Sequence, residues 1–138
     1  MQTAKRILLV EDDKDDQQFF CEALSDIHPS IFCQVASNGL EALSFLSVHP
    51  PFEMIFLDLN MPKIDGFECL KVMKSHSLYR NIPVFILSTS DRQEDIARCK
   101  ALGAANFFTK PTSYTSLFEK LKNILTTGFL MDGTGGFQ

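Results

Sequence analysis

The sequence predicts an α/β fold: a doubly wound parallel sheet of five strands, with helices on both faces. Three observations carry this. Five short apolar runs recur along the chain, and longer stretches of helical spacing separate them. The runs are apolar almost throughout rather than alternating, as strands covered on both faces are. Most of them end abruptly on a charged or hydroxyl side chain.

Taken in order, Ile7-Leu8-Leu9-Val10 is the first strand, and Phe19, Phe20, Ala23, Leu24 and Ile27 then space as a helix face before the His28-Pro29 break. Phe32-Cys33-Gln34-Val35-Ala36 is the second strand, followed by Leu40, Leu43 and Leu46 at three-residue steps. Met54-Ile55-Phe56-Leu57 leads to Phe67, Leu70 and Met73. Val84-Phe85-Ile86-Leu87 leads to Ile96, Cys99 and Leu102, ending at Gly103, a suitable residue just past a helix. Asn106-Phe107-Phe108 is the fifth strand, and Leu117, Leu121, Ile124 and Leu125 form the last stripe. Each stripe reads as a core face. Strand–helix alternation repeated five times gives the layered α/β architecture.

The 138 residues fit one domain. Residues 1–127 carry the periodic pattern, and 128–138, with four of the seven glycines, read as a flexible glycine-rich tail. No apolar run approaches the roughly 20 residues of a membrane helix, and no secretory signal precedes the first strand. Cys21, Cys33, Cys69 and Cys99 show neither CxxC nor zinc spacing, so small buried thiols of a reducing, cytoplasmic protein are expected. The net charge of −4 equals that of one hexapeptide, Glu11-Asp12-Asp13-Lys14-Asp15-Asp16; elsewhere acids and bases cancel. Net acidity argues against a nucleic-acid partner. The C-terminal half is basic, which reads as solvated helix faces.

The decisive pattern is the polar side chain placed directly after a strand: Glu11-Asp12, Asp58, Ser88 and Lys110. In a parallel sheet these positions share the carboxyl edge, where open α/β folds bind ligands. Carboxylates crowded there repel one another unless protonated or joined by a cation, and a hard divalent ion with oxygen ligands, Mg²⁺, suits them. Asp12 and Asp58 would bind it directly, Glu11 through water, and the Asn60 carbonyl would complete the protein ligands. Asp13 assists through water or is simply solvated, and Asp15 and Asp16 belong to the first turn of a helix. The first strand–helix turn has no glycine and five acids, which excludes a nucleotide- or flavin-phosphate loop. Metal, carboxylate, hydroxyl and ammonium together point to phosphoryl transfer, with Asp58 as nucleophile, Lys110 spreading charge and Ser88 donating a hydrogen bond.

With these residues in hand, the sequence over about residues 5–127 resembles the receiver domain of two-component response regulators. The matching segments are Ile7-Leu8-Leu9-Val10-Glu11-Asp12, Asp58-Leu59-Asn60-Met61-Pro62-Lys63-Ile64-Asp65-Gly66, Ser88-Thr89 and Lys110-Pro111. The resemblance implies a flavodoxin-like strand order of 2-1-3-4-5. It implies that Asp58 accepts phosphate from a sensor histidine kinase or a His-phosphotransfer protein, with Mg²⁺ held at Glu11, Asp12, Asp58 and Asn60. Ser88, 22 residues before Lys110, would be the switch hydroxyl in preference to Thr89. Phe107 is either a rotating switch aromatic or an ordinary strand core residue. Lys110-Pro111 is expected in the cis form, and Gly66 at a turn needing close approach or positive φ. Asn60 and Ser90 would lie near an attacking water.

By the same resemblance the chain is a stand-alone receiver in a phosphorelay, with an unknown downstream protein, no membrane or direct nucleic-acid partner, and dimerisation possible through residues 91–125. Its chemistry would be self-phosphorylation and slow autodephosphorylation rather than enzymatic turnover. A phosphatase forming an aspartyl phosphate would place an acid where Asn60 stands. A receiver serving only as a constitutive binding domain would not have every polar position filled.

Overall fold

The computed structural model describes residues 5–48, 51–61 and 65–127. The expected glycine-rich tail, 128–138, and the Pro62-Lys63-Ile64 part of the central motif lie outside the described residues. Ten elements alternate: β1 (Arg6–Val10), α1 (Lys14–Ile27), β2 (Phe32–Ala36), α2 (Gly39–Val48), β3 (Met54–Asp58), α3 (Gly66–Ser75), β4 (Val84–Ser88), α4 (Gln93–Ala101), β5 (Asn106–Thr109) and α5 (Tyr114–Thr127). The strands form one parallel sheet in the order β2-β1-β3-β4-β5, as expected.

The pleat divides each central strand between two cores. Leu8, Val10, Ile55, Leu57, Val84 and Ile86 face α2, α3 and α4, meeting Ala42, Leu46, Leu70, Met73 and Cys99. Ile7, Leu9, Met54, Phe56, Phe85 and Leu87 face α1 and α5, meeting Phe20, Ala23, Leu24, Leu121 and Ile124. Double-sided burial explains why these strands carry no polar alternation. On the α1 side Phe56 stacks on Phe85 at 5.2 Å and meets Phe20 edge-on at 4.9 Å.

Two stripe residues leave the core. Phe19 is 50% and Leu40 57% exposed, because neighbouring Phe20 and Ala42 occupy the buried faces of their helices. Gly103 does end α4, with φ +100° and its N–H on the Lys100 carbonyl. At Gly66 the requirement is close approach: a Cβ there would stand 2.4 Å from Leu59 Cα and 2.9 Å from the Asp58 carbonyl oxygen. That contact presses the start of α3 against the end of β3.

Candidate acidic site at the carboxyl edge

The chain reverses direction at β1, which lies between β2 and β3, with α1 and α2 leaving to opposite faces. A crevice opens at the carboxyl ends of β1 and β3. Glu11 comes directly after β1; its N–H continues the sheet onto the Ala36 carbonyl at 2.9 Å, so its side chain is committed to the sheet edge. Asp58 is the last residue of β3 and Ser88 the last of β4. Lys110 lies just past β5 and its N–H donates to the Ser88 carbonyl at 2.7 Å.

Glu11 and Asp58 are only 2% and 4% exposed. One carboxylate oxygen from each of Glu11, Asp12 and Asp58 lies within 4.8 Å of the other two. The Lys110 ammonium reaches Glu11 Oε1 at 2.8 Å, Asp16 Oδ2 at 3.0 Å and Asp58 Oδ2 at 3.5 Å. The other Asp58 oxygen accepts from the Asn60 N–H at 3.1 Å, and Glu11 Oε2 from the Asp13 N–H at 3.1 Å. Burial pushes the Glu11 carboxyl up to about 7, opposed by its Lys110 hydrogen bond and reinforced by the Asp58 charge. Burial also raises Asp58, against the pull of Lys110 and the Asn60 N–H. Lys110 is raised despite its burial, because carboxylates surround it. The cleft above these groups measures about 500 Å³, and Asp12, Asp13, Asn60 and Thr89 reach its wall.

An all-oxygen donor set of crowded carboxylates, two of them desolvated, is what a hard divalent cation requires. Lys110 alone, among the described residues, is in ion-pair contact with the buried pair, so the cluster keeps an excess of negative charge. The residues fit such an ion.

Glu11, Asp12, Asp58, Asn60 and Lys110 therefore converge as the sequence indicates. Ser88 stands apart: it is fully buried, and its Oγ accepts from the Ser90 N–H at 3.0 Å, while Thr89 reaches the cleft wall. The Ser90 hydroxyl donates to Asp95 Oδ2 in the first turn of α4, at 3.0 Å. Phe107 is half-buried and packs on the α2–α3–α4 side, opposite to Phe108. The Lys110–Pro111 peptide is trans, correcting the expected cis form. An X–Pro bond favours trans by about 0.5–1 kcal/mol, and Lys110 reaches its carboxylates from the trans backbone.

Three roles were not read from the sequence. Asp16, besides standing in the first turn of α1, is an ion-pair partner of Lys110 across 94 residues. Asp13 is the N-cap of α1, accepting from the Asp16 N–H at 2.9 Å. Gln17 donates to the Glu11 carbonyl at 2.6 Å, tying α1 to the end of β1. The acidic run announced Asp13 and Asp16, but only the return of β5 beside α1 reveals what Asp16 meets.

The family model for the response regulator receiver domain matches residues 7–122. Response regulator Rcp1 of Synechocystis is 33% identical over 126 residues, spanning 87% of this chain and 86% of that protein. Among solved structures, the phosphorylated cyanobacterial phytochrome response regulator RcpA superposes with a TM-score of 0.85 at 33% identity, over 93% of this chain and 96% of that one. The Mn²⁺-bound form of Rcp1 gives a TM-score of 0.80 at 31% identity, over 97% and 99%.

Proposed function

Because the chain belongs to the response regulator receiver domain family, we propose that it is a phosphoacceptor switch whose Asp58 takes a phosphoryl group from a sensor histidine kinase or a His-phosphotransfer protein. The single observation that supports this best is a buried Asp58 carboxylate at a strand end, facing two further carboxylates and one ammonium. Glu11, Asp12, Asp58 and the Asn60 carbonyl would hold Mg²⁺, as Rcp1 is known with Mn²⁺. When bound, the ion offsets the carboxylate charge and polarises phosphoryl oxygens.

The chain's own residues supply the rest. An ionised Asp58 oxygen forms the new bond to phosphorus while the bond from phosphorus to the donor's imidazole nitrogen breaks. The Asn60 N–H fixes the carboxylate's orientation. The Lys110 ammonium stabilises charge on the transferring group. Ser88 would exchange its Ser90 N–H partner for a phosphoryl oxygen, and Phe107 on the neighbouring strand would follow it inward. Ser88 therefore acts as a hydroxyl that moves, which accounts for its burial away from the cleft here.

The output is a protein partner recognising the changed α4–β5–α5 face, in the cytoplasm. Turnover is limited to slow loss of the phosphoryl group, with Asn60 in the place of a general acid. Self-association through residues 91–125 is tested by light scattering with and without a phosphoryl mimic; an unchanged monomer overturns it. The central test is incubation with Mg²⁺ and a small acyl phosphate, read by intact mass. One base-labile adduct is expected, absent in Asp58→Asn. No adduct refutes the switch, an adduct kept in the variant refutes the site, and rapid multiple turnover favours a phosphatase.

A further inference from the structure

Away from the acidic site, the four cysteines divide into two kinds. Cys69 and Cys99 are buried in the α3–α4 layer, and burial holds both thiols high. Cys21 on α1 and Cys33 on β2 are half-buried and their sulfurs lie 3.4 Å apart, in hydrogen-bond contact. That separation is non-bonded, yet it leaves only about 1.4 Å to close to a disulfide length. Cys21 also lines an open surface groove of about 420 Å³ with Lys14, Gln17, Gln18, Glu22 and Val35, and Cys33 does not. Cys21 thus faces this groove, with the Cys33 sulfur in contact beside it.

We propose that Cys21 and Cys33 are a reversible thiol-oxidation site, in which a peroxide reacts at Cys21 and Cys33 resolves the product to a disulfide joining α1 to the edge strand β2. The contact with Cys33 lowers the Cys21 thiol, against the effect of its burial, which favours its thiolate. The Cys21 sulfur attacks a peroxide oxygen, the O–O bond breaks, and the departing hydroxide takes a proton to become water. The Cys33 sulfur then attacks the resulting Cys21 sulfenic acid. The S–O bond breaks, and the leaving hydroxide takes the Cys33 proton as a second water. Two thiols are oxidised, one peroxide is reduced to two waters, and a dithiol reductant reverses the change.

The test uses the whole protein with its natural four cysteines. It is treated briefly with dilute hydrogen peroxide, then denatured, alkylated and mapped by mass spectrometry. Expected are a loss of two hydrogens, a fall from four alkylatable thiols to two, and a cross-linked peptide pair containing Cys21 and Cys33 that dithiothreitol separates. A Cys69→Ser/Cys99→Ser variant should behave identically. Cys33→Ser should instead trap a sulfenic acid at Cys21. A disulfide between other cysteines, a purely intermolecular one, or oxidation of Cys21 beyond sulfenic acid in the unaltered protein overturns the proposal. Because the unaltered protein is mapped directly, a variant that fails to fold does not decide the outcome.

Discussion

Replacing Asp58 with Asn should make the metal-free protein more stable, although it removes the proposed phosphoacceptor. The Asp58 carboxylate faces Glu11 and Asp12 with oxygens no more than 4.8 Å apart. At an effective dielectric of about 20 each such pair repels by at least ~3.5 kcal/mol, and the two together by ~7 kcal/mol. Lys110 at 3.5 Å returns ~4.7 kcal/mol on the same scale. The remainder, about 2 kcal/mol with all three carboxylates ionised, is the upper end of the gain and shrinks as the raised Glu11 carboxyl takes up a proton. The amide oxygen of Asn still accepts from the Asn60 N–H, so little geometry is lost. The chain has no tryptophan, so urea unfolding is followed by circular dichroism in excess chelator. Magnesium should then reverse the order of stability. A ligand at a hundredfold its Kd adds about 2.7 kcal/mol to whichever protein binds it, and the variant should gain far less. An Asp58→Asn protein less stable than the natural one in chelator would refute the reading of the cluster as crowded negative charge.

Lys110→Met should cost about 2–3 kcal/mol in chelator, less than the ~3–5 kcal/mol for breaking a fully buried ion pair, since Asp16 is half-exposed; magnesium should restore part of it in the same urea titration. Stability without metal should fall as pH rises from about 4.5 to about 7. Over that window folded Glu11 retains a proton that the unfolded chain has released, so the slope of unfolding free energy against pH is negative, on the order of 2–3 kcal/mol in all. Magnesium binding should strengthen through the same window, and a flat or rising metal-free profile would contradict the raised Glu11. Gly66→Ala should cost about 3 kcal/mol, because the clash is with β3-end backbone rather than a yielding side chain. It should also slow phosphoryl-adduct formation by shifting Asp58, whereas an unperturbed adduct rate would place that shift elsewhere.

The order of residues alone specifies the sheet and the main groups at its edge. Val10, Leu57 and Leu87 each end an apolar strand beside a polar residue, and parallel strands bring such positions to one side whatever their separation in the chain. Glu11, Asp12, Asp58 and Lys110 were therefore legible from periodicity alone. Packing in three dimensions settles what periodicity does not encode. Helical spacing left Phe19 and Phe20 equal candidates for the core, and packing against Phe56 chose Phe20. Hydrogen bonding chose the present resting place of the Ser88 hydroxyl, on the Ser90 N–H rather than in the cleft. The Lys110–Pro111 isomer, trans here, depends on a small energy difference that no residue pattern fixes. The pairing of Asp16 with Lys110, and of Cys21 with Cys33, needed α1 laid between β2 and α5. Local sequence specifies which faces must be buried, and the mutual placement of those faces specifies which polar side chains meet.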